Sequence, residues 1–297
     1  VMSITVCHEI RELGLLGVGG IAEARYALQA LSHGVERRVV LKQLLPQYVG
    51  NPAWEAFLLE EARLAARLHH PGFPALYGIV THAGHPTLVF EYIEGPSLAA
   101  ALQANVAAPG GPALPRPVAL TIAWDIAQAL HYLHSLRDDL GRPLGLVHRD
   151  LSADNVLLDR RGAARLIDLG IARGVHPLPE SVNAAAKGTL GTMAPEQLRG
   201  ETELDVRVDL FAYGVLLHLL LTGAHPWGKA PPSELAHRML AGPANVSALE
   251  ISGAGSGLIS LVRACLDPER GQRPASIEPV LDTLASEFGA RQQVPQP

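Results

Sequence analysis

The chain has 297 residues, 48% hydrophobic and 18% charged, a composition that argues against intrinsic disorder and supplies apolar material for one large core or two smaller ones. A formal net charge of -5 shows no basic excess, so a nucleic-acid partner or an anionic membrane surface has no electrostatic support. Two cysteines far apart, Cys7 and Cys265, form neither a disulfide framework nor metal-ligand spacing, which fits a reducing, cytoplasmic compartment.

In chain order, "VMSITVCHEIRE" lacks the basic and then apolar segments of a signal peptide, and a chain running from Val1 to "QQVPQP" is compatible with a piece of a longer protein. "HEIRELGLLGVGG", "AEARYALQAL" and "ERRVVLKQLL" predict short strands separated by Gly or polar breaks. "PAWEAFLLEEARLAARLHHPG" predicts a helix stopped by Pro71 and Gly72. A strand over Thr87 to Ile93 follows, ended by Gly95 and Pro96. From there the pattern becomes helical, in "SLAAALQAN" and "VALTIAWDIAQALHYLHSL", around a Pro/Gly-rich surface loop or linker from Ala108 to Pro117. A further helix is predicted from Asp209 to Thr222; its apolar run, Phe211 to Gly223, carries His218 and is too short to span a bilayer. No repeat of solenoid period is present.

The chemistry concentrates in "HRDLSADNVLLD", His148 to Asp159. Asp150 and Asn155 precede an apolar "VLL", a turn at "DRRG", and an apolar return ending at Asp168, which predicts a loop and then a hairpin delivering Asp168 back beside the loop. Carboxylate and amide oxygens suit a hard cation such as magnesium that keeps phosphate oxygens as its other ligands. On that reading Asn155 and Asp168 hold a metal-nucleotide complex, and Asp150 is left to orient a hydroxyl.

"HRDLSADN", "DLG" at Asp168 to Gly170 and "MAPE" at Met193 to Glu196 resemble, in order and spacing, the catalytic-loop, magnesium-binding and activation-segment motifs of eukaryotic-like (Hanks-type) protein kinases. "GVGGIAEA" and "VVLK" extend the likeness upstream, and bacterial serine/threonine kinases are the most similar group. The resemblance implies an α+β, two-lobed protein-kinase fold: residues 1–92 as a small, mainly antiparallel β lobe with one helix, and residues 93–297 as a larger, mainly helical lobe. It implies ATP and Mg2+ as cofactors, with Mn2+ as an alternative, and a protein substrate. Gly17 and Gly19 would bring backbone N–H groups to the phosphates, although a plain hairpin turn is the rival reading. Lys42, one of three lysines, would bind the α- and β-phosphates as a compact point charge. Glu60 and Glu61 both adjoin as partners for it; helical periodicity with Phe57, Leu64, Ala65 and Leu68 favours Glu61, though Leu58 and Leu59 blur the face. Phe90 would back the adenine pocket, and backbone groups of Glu91 and Ile93 would bond the base at a hinge running to Gly95. Asp209 resembles the aspartate that fixes the catalytic-loop backbone, with a helix N-cap as its plain alternative. Glu196 and Arg273 resemble a buried ion pair, or are two solvated charges. His148 reads as a packed histidine, and Arg149 as a receiver of activation-loop phosphate.

Some positions depart from the family pattern. Ser152 stands where most serine/threonine kinases have a lysine, and Asp154 where tyrosine kinases have an arginine. Ala22 replaces a glycine, Ala24 a valine, Leu169 a phenylalanine and Thr192 an aromatic residue. Gly188 and Thr189 resemble the serine/threonine version of the substrate groove, with Thr189 bonding Asp150. Ser181 is the expected loop phosphorylation site if the loop needs phosphate at all. The resulting expectation is an ATP-dependent protein serine/threonine kinase, with a pseudokinase scaffold and a small-molecule phosphotransferase as the alternatives.

Overall fold

The computed structural model describes residues 10–105, 114–169 and 190–289. It divides into two compact units, one holding residues 10–69 and Pro74–Ile93, the other His70–Phe73 and the described chain from Glu94 onward.

In the first unit, β1 (Ile10–Val18), β2 (Ala22–Ala30), β3 (Glu36–Leu44), β4 (Leu76–His82) and β5 (His85–Glu91) form one antiparallel sheet in the order β1-β2-β3-β5-β4. Strand β4 has no counterpart among the predicted strands. It is an edge strand with alternate residues exposed and a register slip beside Gly78, so its apolar signal is weak. Strand β5 starts and ends two residues earlier than the predicted Thr87 to Ile93.

The period-two alternation of β3 sorts its side chains. Val39 and Leu41 join Ala27 and Val89 in one core cluster. The opposite face carries Lys42 and Leu44, and Leu44 packs with Leu88 against Leu58 and Ala62 of helix α1 (Pro52–Ala65). Leu58 is fully buried, so it belongs to the sheet-facing stripe that it was expected to blur, whereas Leu64 is only half-buried. Asn51 caps α1 by accepting the Ala53 N–H at 3.0 Å. The helix ends at Ala65, well before the predicted stop at Pro71. The amides of Arg67 and Leu68 bond carbonyls three residues back, at 3.0 and 3.1 Å, and that tighter winding closes the last turn.

The second unit is mainly helical: α2 (Leu98–Asn105), α3 (Arg116–Ser135), α4 (Pro195–Leu198), α5 (Arg207–Thr222), α6 (Pro232–Ala241), α7 (Ser247–Ile251), α8 (Ser256–Cys265) and α9 (Glu278–Gly289). The hairpin of β6 (Val156–Leu158) and β7 (Ala164–Leu166) is its small sheet. Helix α3 begins at Arg116, so Arg116 and Pro117 leave the predicted loop; proline is tolerated there because a first-turn N–H has no helical acceptor. Helix α5 is buried along almost its whole length, which explains an apolar run with no polar face. The Tyr213 hydroxyl donates to the Ala123 carbonyl at 3.1 Å, fixing α5 to α3, and Gly223 ends α5 with φ of 70°. No helix among the described residues is long and apolar enough to cross a membrane.

Candidate active site

Lys42 and Glu61 meet in the first unit, with Nζ 2.6 Å from Oε1 and side chains only 18% and 9% exposed. The pairing follows from local geometry, since Lys42 shares the helix-facing side of β3 with Leu44, and Glu61 adjoins Ala62 on the buried stripe of α1. Glu60 points its carboxylate to Arg63 instead, at 2.8 Å on the exposed side. Ala24 lies directly across from Lys42 in the β2–β3 ladder. Gly17 sits at a register slip in β1, and Gly19 donates its N–H to the Ala22 carbonyl at 2.8 Å, closing the turn into β2. A side chain on Gly19 would place Cβ 3.3 Å from that carbonyl oxygen. The Glu91 N–H is committed to the Ala75 carbonyl at 2.8 Å, so a base bonded by the Glu91 backbone would have to be bonded through its carbonyl. Ile93 is buried, and Phe90 packs beside Leu58 and Leu88.

The second unit builds the loop around Asp150. Fully buried Asp209 accepts the backbone N–H groups of His148 at 2.7 Å and Arg149 at 2.8 Å, and its third partner is His134 Nε2 at 2.8 Å. Burial alone would raise this carboxyl's pKa; the hydrogen bond and charge of His134, with the backbone donors, more than offset it and hold the carboxyl below its usual range. Asp209 thus sits in the first turn of α5, which starts two residues earlier than predicted, and serves the loop rather than capping the helix. His148 has no exposed surface and burial pushes its imidazole pKa down, as befits a packed neutral ring. Arg149 and Asp168 adopt φ of 64° and 54°, a conformation costing roughly 1–3 kcal/mol per non-glycine residue.

Asn155 donates Nδ2–H to the Asp150 carbonyl at 2.8 Å and to Asp150 Oδ2 at 3.0 Å, so the amide oxygen is the Asn155 atom available to a cation. The Asn155 carbonyl in turn accepts the Ile167 N–H at 2.9 Å, which brings exposed Asp168 beside it. Asp125 of α3 anchors the hairpin by accepting the Ala164 N–H at 3.0 Å. Ser152 is 3% exposed, its carbonyl accepts the Asn155 N–H at 3.1 Å, and its hydroxyl has no partner among the described residues.

Glu196 and Arg273 form a two-pronged pair at 2.7 and 2.9 Å, with side chains 3% and 0% exposed. Arg273 also donates to the carbonyls of Asp267 and Arg207 and lies 4.8 Å from the centre of the Phe211 ring, so its buried charge is fully engaged. Gln197 links this region to the loop: Nε2 donates to the Arg149 carbonyl at 2.9 Å, and Oε1 accepts the Ala194 N–H at 3.0 Å. Sequence reasoning missed Gln197, His134 and Asp125, whose bonds to Arg149, Asp209 and Ala164 span 48, 75 and 39 residues. Ser181 and Thr189 lie outside the described residues.

The donor set fits a hard divalent cation. The Asn155 amide oxygen and the exposed Asp168 carboxylate are oxygen donors of the kind such a cation takes, carried on backbone segments that the Asn155–Ile167 bond joins, and the described residues contain no cluster of three or more His, Cys, Asp or Glu that could hold a metal.

Residues 10–284 match the family model of the protein kinase domain. The chain is 35% identical over 227 residues to the tyrosine-protein kinase MasK of Myxococcus xanthus, covering 76% of this chain and 35% of that protein. It is 32% identical over 296 residues to the serine/threonine-protein kinase pkn2 of Myxococcus xanthus, covering 97% of this chain and 33% of that one. It is also 32% identical to the serine/threonine-protein kinase PknB of Mycolicibacterium smegmatis over 76% of this chain and 35% of that protein. The chain therefore spans about a third of the length of these relatives. With an antiparallel sheet unit, a helical unit and a match covering most of its length, the chain belongs to the protein kinase domain family.

Proposed function

We propose that this chain is the catalytic domain of a protein serine/threonine kinase that transfers the γ-phosphoryl group of Mg-ATP to a protein hydroxyl. The observation that carries the reading is the bond of Asn155 Nδ2 to Asp150 Oδ2, which orients one carboxylate for a hydroxyl and one amide oxygen for a cation in a single arrangement. Family membership implies ATP and a divalent metal in general; the choice of magnesium rests on the hard oxygen donors Asn155 and Asp168.

Each residue then has a role. Residues 1–92 serve as the nucleotide lobe, and residues 93–297 as the larger lobe. Lys42, oriented by Glu61, holds the α- and β-phosphates, and the backbones of Gly17 and Gly19 approach phosphate oxygens. The Glu91 carbonyl and Ile93 backbone bond the base. Asn155 and Asp168 hold the metal, which, when bound, neutralises charge on the phosphates. Asp150 accepts the acceptor's proton as the hydroxyl oxygen bonds to the γ-phosphorus and the bond to the β-bridging oxygen breaks, releasing ADP. Arg149, itself one of the strained residues of the loop, is available to a phosphorylated activation segment. Ser152, a neutral and buried side chain, supplies no charge from that position, and its burial supports a packing role in the loop.

The test is phosphate transfer from ATP with magnesium by purified wild type and Asp168→Ala, scored by phosphoamino acid. Phosphoserine or phosphothreonine that disappears in the variant supports the reading. Phosphotyrosine would align the chain with the relative named a tyrosine-protein kinase. Nucleotide binding without transfer would make it a pseudokinase.

A further inference from the structure

Residues Gly191 to Ala194 lead directly into α4, and two side chains of the second unit, Gln197 of α4 and the distant His225, hold the segment at its two ends. At the far end, Gln197 joins the Ala194 N–H to the Arg149 carbonyl, next to Asp150. The segment is thereby tied to the backbone of the residue that precedes Asp150. At the near end, His225 Nε2 stands 2.8 Å from the Gly191 carbonyl, and the Trp227 N–H approaches Nδ1 of the same ring at 3.3 Å. One neutral tautomer, protonated at Nε2, satisfies both bonds. Burial pushes the His225 pKa down, which keeps the ring in that neutral form.

The ring itself is held. Its neighbour Trp227 stacks on Phe211 of α5 at 5.8 Å and donates Nε1–H to the Gly242 carbonyl at 3.0 Å, while Arg238 of α6 donates to the Trp227 carbonyl at 2.9 Å. Gly191 admits the close approach: a Cβ there would sit 3.3 Å from Leu235 Cδ1 and 3.6 Å from His225 Nε2. Because a peptide unit is planar, fixing the Gly191 carbonyl also fixes the direction of the Thr192 N–H.

We propose that His225 is a positioning residue for the protein acceptor, its bond to Gly191 setting the course of the Gly191–Ala194 backbone along which an extended substrate peptide lies. The inference rests on the kinase reading above and adds to it a device that orders the acceptor side without touching nucleotide.

Two polar replacements separate the two ends of the ring. The amide nitrogen of His225→Gln reaches the position of Nε2 and can still donate to Gly191. His225→Asn reaches only the position of Nδ1 and keeps the Trp227 contact alone. With a degenerate peptide library carrying one central serine or threonine, His225→Asn is expected to raise the peptide KM about fivefold to tenfold, the loss of one ordinary hydrogen bond. The KM for ATP should stay within about twofold, and His225→Gln should restore the peptide KM. Binding of the same fluorescently labelled library, read by anisotropy with no transfer required, is measured in parallel. Equal peptide KM and binding in wild type and His225→Asn would overturn the inference while leaving the kinase reading intact. Peptide binding that His225→Asn weakens and His225→Gln restores, with no transfer by wild type, would uphold the positioning role and overturn the catalytic reading. A KM for ATP that rises in step with the peptide KM would show a general structural role and overturn the inference. Failure of wild type both to bind and to phosphorylate the library would overturn both.

Discussion

At the scale of single residues, the site combines charges that are paired with charges that are poised. Lys42 and Glu61 are held together away from most solvent, so removing either one leaves the other partly desolvated and misdirected. Glu61→Gln is expected to lower kcat/KM for ATP on the order of 10²-fold, as for loss of one preorganised electrostatic contact, in steady-state assays at saturating acceptor. Asp150→Asn keeps the shape of the side chain but removes the proton acceptor. Transfer should fall by about 10²–10⁴-fold while nucleotide binding, followed by a fluorescent ATP analogue, persists. Ser152 illustrates a different physics. Its hydroxyl is buried and has no partner among the described residues, so Ser152→Ala should leave stability unchanged or raise it by about 1 kcal/mol in thermal or urea unfolding. The residue type at this position was legible in the sequence; its burial was not, because the family pattern describes a lysine that reaches outward and a short side chain need not follow it.

At the scale of elements, the second unit is organised around α5, whose buried surface meets α3 on one side and α8 on another. Gly214 permits the second contact, since a Cβ there would lie 2.8 Å from Cys265 Cβ and 3.1 Å from a Leu266 side-chain carbon. Gly214→Ala should therefore cost about 1–3 kcal/mol through overpacking, although alanine is the better helix former. Arg273→Ala leaves Glu196 buried without its counter-charge and should cost about 3–5 kcal/mol, detectable by urea unfolding of the purified domain. These elements also show which patterns a sequence carries. The apolar Val39–Leu41 run of β3 and the uniformly apolar run of α5 were readable because burial is continuous enough to mark each element. Edge strand β4 was not, because half its side chains face solvent, and the end of α1 was set by a local tightening of the helix rather than by the proline after it. The motif residues of the loop could be placed from the order Asp150, Asn155, Asp168. Their supports, His134, Asp125 and Gln197, reach the loop and hairpin through long-range hydrogen bonds that have no local signature.

At the scale of the molecule, four histidines, His70, His148, His218 and His225, have pKa values lowered chiefly by burial from an ordinary 6.5. In each the folded state disfavours the proton that the unfolded chain accepts. Their neutral forms thus cost nothing above about pH 6.5, and stability is expected to fall as the pH drops below it, before the depressed Asp209 carboxyl is protonated at still lower pH. Thermal unfolding between pH 7.5 and 5.5 should show a falling midpoint. The grip of Asp209 on His148 and Arg149 carries a consequence of its own. Segments without helix or sheet ordinarily trade their amide protons with solvent quickly, yet these two N–H groups are tied to a carboxylate with almost no exposed surface. In deuterium exchange they should behave as part of the slowest-opening core, so that the loop bearing Asp150 loosens only when α3 and α5 come apart.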